Sequence, residues 1–255
     1  MKQVIGITKK DIVTQWDNIA VLRADQINKG KDLSFSYILV PTILKLSAQS
    51  DFTAVLDIGC GTGFLTKQLA LKAQRITGID MSRKMIDLAW KSCKGSKNVE
   101  LVHSTIESFA ANQKSPPFTL VVANMSLMNM IKLDRALRST AKLLKPGGHF
   151  VFTITHPCFW PFYSGYAVED WFDYKKEILI ETVFKISLDA SDDGPKTIHA
   201  HRPIERYLVS LLREGFIIDS ICEPMPTKKV EARYPKRWDY PRFLGMRCIN
   251  KGVLE

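Results

Sequence analysis

Residues 55–63 read V-L-D-I-G-C-G-T-G, an apolar run that breaks into three glycines, Gly59, Gly61 and Gly63. Glycines spaced in this way let a backbone come close to a partner, because no Cβ stands in between. A dinucleotide fingerprint reads Gly-x-Gly-x-x-Gly, and its third glycine permits close helix–strand packing. Gly59 and Gly61 fit that pattern, but Phe64 stands where the third glycine belongs. An acid, Asp57, also precedes the first glycine. A carboxylate there repels a pyrophosphate and suits a ligand presenting a cation or amide donors. A second acid, Asp80, closes the next apolar run, RITGID. At a strand end its two oxygens can accept both hydroxyls of a ribose. The expected ligand is a nucleoside with a positively charged tail and no phosphate.

Working outward, the segment alternates strands and helices. TAVLDI is a continuous apolar strand and FLTKQLALKA an amphipathic helix; RITGID is a strand, and SRKMIDLAWKSC a helix with Ser82 as N-cap. NVELVH and FTLVVAN are further strands, LDRALRSTAKLL is a helix stopped by KPGG, and HFVFTIT is a fifth strand. Strands apolar on both faces, alternating with helices, indicate a parallel sheet covered on both sides, a doubly wound α/β layout. Ligands on such sheets sit at the carboxyl ends of the strands.

Residues 11–28 place Ile12, Trp16, Ile19 and Leu22 on one helical face, and a second helix over 33–48 is bent or restarted by Pro41. After residue 156 the alternation stops in HPCFWPFYSGYAVEDWFDY, dense in aromatics and prolines. KKEILIETVFKISL then reads as a strand or hairpin, SDDGPK as a turn, RPIERYLVSLLREGF as a helix, and IIDSICE and FLGMRCIN as strands. The expected organisation is an N-terminal helical lid (1–50), a ligand-binding core (51–156), an aromatic substrate-cap insertion (157–200) and a C-terminal completion of the sheet (201–255).

No apolar run reaches the roughly 18 residues of a membrane span, and the first residues, MKQVIGITKK, lack a secretory pattern. The five scattered cysteines, without CxxC spacing, argue against a metal site or disulfide framework and make a reducing, cytoplasmic setting the expectation. A net charge of +10 is partly concentrated in KKVEARYPKRWDYPR, residues 228–242. That stretch reads either as a solvated basic loop or as an electrostatic path for an anionic substrate.

The combination of VLDIGCGTGFLTKQLA, the acidic strand end in TGIDMSRKMIDLA and the segment LLKPGGHFVFT resembles the class I S-adenosylmethionine-dependent methyltransferases, closely over residues 53–156. The resemblance implies a Rossmann-like, seven-stranded, mostly parallel sheet with an antiparallel last strand, and S-adenosyl-L-methionine as cofactor. It further implies that Asp57, Gly59, Gly61 and Gly63 line the methionine moiety, with Cys60 and Thr62 in the same loop. Asp80 would hold the ribose, with Met81 and Met85 beside the adenine. Ser104, Thr105 and Ile106 would bind the adenine amino group, although His103-Ser104 stands where many relatives carry an acid. Asn124, Met125 and Ser126 would flank the sulfonium. N-terminal helices of relatives close over the cofactor, so Trp16, Arg23 or Tyr37 could reach it, with Arg23 preferred for the carboxylate.

The acceptor is less legible. Methyl transfer is an in-line displacement helped by positioning and desolvation, and it needs a base only when the acceptor must lose a proton. Asn124-Met125-Ser126-Leu127 lacks the Asn-Pro-Pro-Tyr of amino-methylating nucleic-acid enzymes. His156-Pro157-Cys158-Phe159 follows the fifth strand; Cys158 reads as a small buried or lining thiol rather than a nucleophile, and His156 as either a base or a satisfied structural histidine. HPCF, the aromatic insertion and TIHAHRPIERYLVSLLREGF resemble a bacterial small-molecule subgroup, which makes His199, His201 and Arg202 candidates for the acceptor side. Most insertion aromatics read as a small core of their own. The leading expectation is methylation of an oxygen or nitrogen of a small molecule. The alternatives are an RNA methyltransferase using the basic C-terminal segment, which is disfavoured, and a non-catalytic S-adenosylmethionine-binding accessory protein. The oligomeric state stays open.

Overall fold

The computed structural model describes residues 1–113, 117–188 and 193–252. The chain opens with a short strand β1 (Lys2–Gln3) and a long helix α1 (Lys9–Asn28), and a π-helical turn over Phe35–Leu39 runs into α2 (Val40–Leu46). Strands and helices then alternate: β2 (Ala54–Ile58), α3 (Phe64–Ala70), β3 (Arg75–Asp80), α4 (Arg83–Ser92), β4 (Val99–His103), α5 (Ile106–Asn112), β5 (Phe118–Asn124), α6 (Leu133–Leu143) and β6 (Leu144–Thr155). After β6 come α7 (Trp160–Ser164), β7 (Ile178–Val183), β8 (Lys196–His201), α8 (Ile204–Arg213), β9 (Phe216–Cys222), α9 (Lys228–Glu231) and β10 (Phe243–Asn250).

Seven strands form one sheet in the order β4-β3-β2-β5-β6-β10-β9. β2, β3, β4, β5 and β6 pair in parallel, whereas β10 runs antiparallel to both β6 and β9. This is the doubly wound sheet with an antiparallel last strand that the sequence predicts. The central strands β2 and β5 bury nearly every side chain, as two covered faces require. The edge strand β9 starts at buried Phe216 and then alternates exposed and half-buried residues. The strand order reverses between β2 and β5, and a crevice opens at that switch point above their carboxyl ends.

Several local features follow from identifiable residues. Ser82 caps α4, its hydroxyl accepting from the Met85 N–H at 3.1 Å. The same hydroxyl donates to Asp17 of α1 at 2.5 Å, which latches the long helix onto the start of α4. α1 begins with a capping box between Thr8 and Asp11. The expected break at Pro41 takes the form of the π turn, in which the Val40 N–H reaches back to the Phe35 carbonyl. A widened turn makes room for a ring that would otherwise clash with the preceding turn.

A second, three-stranded sheet, β1-β7-β8, joins the N-terminus to the hairpin that follows the aromatic stretch. The pairing of β1 with β7 is not legible in the sequence, because a two-residue strand carries no periodicity. The turn expected at SDDGPK falls partly outside the described residues. Among the described residues, no helix is long and apolar enough to cross a membrane.

Candidate active site at the carboxyl ends of the central strands

A cavity of about 860 Å³ lies over the ends of β2, β3 and β5, roofed by α1, the small sheet and the loop before β10. That volume falls within the roughly 300–1,000 Å³ of small-molecule sites.

The glycine loop forms its floor. Gly59 adopts φ +70°, and a Cβ there would come within 2.6 Å of the Ser126 Cβ, so the loops after β2 and β5 touch only because Gly59 has no side chain. Gly61, at φ +54°, has nothing within 4 Å of where its Cβ would stand, and it lines the cavity. Its absent side chain leaves room for a ligand. Gly63 is different. It caps α3 and does not line the cavity, and a Cβ there would come within 2.9 Å of the Ala89 Cβ, so the close seating of α3 against α4 needs a glycine at this position.

Two acids stand at the strand ends. Asp57 is buried at the end of β2, and its Oδ2 accepts from the Thr66 hydroxyl at 2.6 Å. Burial, opposed by that hydrogen bond and reinforced by nearby Asp80, pushes its carboxyl up to about 7. Asp80 closes β3 with each oxygen engaged once: Oδ2 accepts from the Gly61 N–H at 2.9 Å, and Oδ1 from the Ser82 N–H at 2.8 Å. Burial also raises its pKa, against those two backbone donors. Each oxygen keeps a free lone pair for a further donor. The glycine loop and the acid thus hold each other in place.

The other expected contacts are distributed around this centre. Cys60, Met81 and Met85 line the cavity, as do Ser104, Thr105 and Ile106 at the start of α5, where Thr105 accepts from the Ser108 N–H as N-cap. His103 stays outside, its Nε2 bonded to the Met81 carbonyl at 3.0 Å. After β5, Asn124 and Met125 line the cavity; Asn124 accepts from the Thr153 hydroxyl at 2.6 Å, and Met125 takes the left-handed φ of 56°. On α1 the face turned to the cavity is Ile12, Trp16, Arg23 and Ile27, while Ile19 packs instead with Ala20 and Met85. Arg23 lines the cavity but pairs with Asp32 at 2.7 Å and lies over the Phe35 ring. Tyr37 is exposed, beneath Arg233, and does not line the cavity.

The three histidines expected on the acceptor side separate. His199, on β8, lines the cavity; it is 8% exposed, and its Nε2 is buried with no hydrogen-bond partner. Burial, with help from His201, pushes it down to about 4, so it is neutral near pH 7. His201 lies farther along the same strand face, among Tyr166, Phe172 and Tyr174, with Nε2 bonded to the Tyr174 carbonyl at 3.0 Å. His156 points away from the cavity. Thr155 lines it, and alternation along β6 turns the next side chain to the other side. There, 2% exposed, His156 accepts at Nδ1 from the Cys158 and Phe159 N–H groups, so Nε2 donates to Glu223 at 2.7 Å. His156 and His201 therefore lie outside this cavity with hydrogen-bond partners of their own, and His199 is the histidine of the three that lines it. Cys158 also lies outside the cavity, 3.4 Å from the Tyr174 hydroxyl. Arg202 is fully buried away from it, bound to Glu177.

The far wall comes partly from the aromatic insertion and partly from the C-terminal segment. Trp160 and Tyr163 of α7 line it, whereas Tyr166, Trp171 and Phe172 pack into a separate cluster with Ile178 and Ile180. Tyr234, Arg242 and Phe243 complete it from the C-terminal segment. The only sequence signal for these is the basic, aromatic run at 228–242.

Residues 56–152 match the sequence model of the family described as "Methyltransferase domain". The malonyl-[acyl-carrier protein] O-methyltransferase of Halalkalibacterium halodurans is 27% identical over 170 residues, 63% of this chain and 62% of that protein. The ubiquinone biosynthesis O-methyltransferase of Serratia proteamaculans is 34% identical over 101 residues, 39% of this chain and 41% of that protein. These matches span less than two thirds of either relative's length. Among solved structures, an S-adenosylmethionine-dependent methyltransferase from Mesorhizobium loti superposes with a TM-score of 0.62 at 23% identity, over 82% of this chain and 96% of that one, a likeness of fold.

Proposed function

We propose that this protein, whose residues 56–152 form a class I methyltransferase domain, transfers a methyl group from S-adenosylmethionine to an oxygen or nitrogen of a small molecule. The observation that carries the reading is the junction of Gly61 and Asp80: an open glycine facing the cavity, tied at 2.9 Å to a strand-end carboxylate with lone pairs to spare. Those residues fit a ribose diol, and buried Asp57 fits a cationic tail better than a phosphate.

When bound, S-adenosylmethionine supplies an electrophilic methyl group on a sulfonium. The chain's own contribution is to orient and to exclude water. Asp80 and the backbone around Gly61 position the nucleoside, and Ser104, Thr105 and Ile106 bound the base end. Asn124 and Met125, at the crevice between β2 and β5, face the region where the acceptor meets the methyl group. The apolar walls remove water from the reacting centre. His199, neutral and unpartnered, is assigned to orient the acceptor. A basic segment whose Tyr234, Trp238 and Arg242 are buried in the fold favours a small acceptor over RNA.

A labelled-methyl transfer screen over metabolite pools tests the activity, and a protein that binds S-adenosylhomocysteine yet methylates nothing would instead support the accessory reading. His199→Gln is expected to lower kcat about tenfold with S-adenosylhomocysteine affinity unchanged, as for loss of one positioning contact. Because His199 titrates near 4, it stays neutral above about pH 5 and imposes no limb on the rate between pH 6 and 8.

Asp57 gives a pH signature to binding. A cationic ligand favours the ionised carboxylate, so at a folded pKa of about 7 binding releases a proton below that pH. Affinity for S-adenosylmethionine should therefore rise between pH 6 and 8 and then level off. Calorimetry in buffers of different ionisation enthalpy reads the released proton, and a flat profile in Asp57→Asn identifies its source.

A further inference from the structure

Among the described residues, a buried cation on the far wall of the cavity makes no ion pair with a carboxylate. Arg242 is 4% exposed and lines the cavity just before β10. Its guanidinium is held by rings: it lies 3.9 Å from the Tyr163 centroid, 4.2 Å from Trp238 and 5.6 Å from Tyr234. Nη2 donates to the Lys236 and Arg237 carbonyls at 3.2 and 3.0 Å. Among the described residues, Nε and Nη1 have no hydrogen-bond partner and Arg242 forms no ion pair. The other buried arginine, Arg202, has Glu177 at 2.8 Å. A charge taken out of water is ordinarily paired, and an aromatic cage offsets only part of that cost.

From this geometry we infer that Arg242 is the anion-binding group of the acceptor subsite, and that the methyl acceptor carries a single carboxylate on an apolar body. One guanidinium compensates one negative charge, which favours a monoanion over a phosphate dianion. With Nη2 taken by the two carbonyls, Nε–H and the Nη1 hydrogens are left to give a carboxylate single charge-assisted hydrogen bonds. Trp160, Tyr163 and Phe243 beside it provide apolar wall for the rest of the molecule. The cofactor's own carboxylate is a less suitable partner, because β2 and β10 are separated by β5 and β6. Three strand spacings put roughly 14 Å between the glycine loop and Arg242. The acceptor would therefore lie across the ends of β5 and β6, its carboxylate at Arg242 and its nucleophile toward Asn124.

This assignment rests on the methyltransferase reading of the cavity, and one set of titrations separates the two. Wild type, Arg242→Gln and Arg242→Lys are titrated by calorimetry with S-adenosylhomocysteine, and then, in its presence, with hexanoate, octanoate, benzoate and phenylacetate, each against its primary amide. At least one carboxylate should bind wild type tenfold or more tighter than its amide. That preference should vanish in Arg242→Gln and persist, weakened, in Arg242→Lys, while S-adenosylhomocysteine binds all three proteins within about twofold. Equal binding, or none, of every acid and amide to wild type overturns the inference without any variant, and this comparison stands even if Arg242→Gln does not fold. Loss of S-adenosylhomocysteine binding in the folded Arg242→Gln also overturns it, by assigning the arginine to the cofactor. Failure of wild type to bind S-adenosylhomocysteine overturns the methyltransferase reading instead.

Discussion

Asp80→Ala should weaken S-adenosylmethionine binding by about 100-fold or more. The carboxylate is expected to accept both ribose hydroxyls, and hydrogen bonds to a charged group contribute about 1.5–3 kcal/mol each. Losing two of them removes about 3 kcal/mol at the lower bound, and each 1.36 kcal/mol is tenfold. The substitution also frees the Gly61 and Ser82 N–H groups, which Asp80 now holds at 2.9 and 2.8 Å. The glycine loop would lose its tether to β3, adding an ordering cost to binding. Asp80→Asn keeps the shape and one acceptor oxygen, so it should fall between wild type and alanine. Calorimetry with S-adenosylhomocysteine, on variants whose thermal melting is recorded alongside, reads the effect. An unchanged affinity in a folded Asp80→Ala would overturn the ribose assignment and with it the cofactor.

Arg202→Ala should cost about 3 kcal/mol of stability, the largest loss expected from a polar residue in this fold. Its side chain is fully buried, whereas Glu177 is 34% exposed, and their atoms meet at 2.8 Å. The guanidinium also donates to the Leu127, Met130 and Ile131 carbonyls at 3.3, 2.7 and 3.4 Å. Arg202 therefore ties the end of β8 to the turn that follows β5, joining the small sheet to the large one. Truncation leaves those carbonyls without this donor, Glu177 with Arg206 as its remaining partner at 3.5 Å, and a cavity where the stem lay. Arg202→Met keeps the volume and separates the polar loss from the packing loss. Urea denaturation monitored by circular dichroism measures both, and a loss for Arg202→Ala below about 1 kcal/mol would contradict the role.

How far the site could be read in advance depended on what fixes each residue. The glycine loop and the acids at 57 and 80 are legible because their roles are local: a backbone turn and a strand-end carboxylate lie within a few residues of the strand that positions them. Of the residues expected at the cofactor, Gly63 and Tyr37 lie outside the cavity lining. The place of Gly63 is not legible locally, because the reason for that glycine, an Ala89 that would stand 2.9 Å from any Cβ there, comes from another helix. The histidines show the converse. His156, His199 and His201 are equally polar in sequence, and only their tertiary surroundings decide that His199 meets the cavity while His201, farther along the same face of β8, and His156, beyond β6, find partners elsewhere.

By itself the sequence determined the doubly wound core, its antiparallel last strand, the glycine turn and the acid pair, since period, turn chemistry and spacing are properties of short stretches. Tertiary structure alone decided which of the many cations and aromatics form the far wall of the cavity. Arg202 and Arg242 are both buried, but one meets a carboxylate and the other opens on a cavity among rings. That difference arises from which side chains distant strands bring within hydrogen-bonding reach, and no local pattern encodes it.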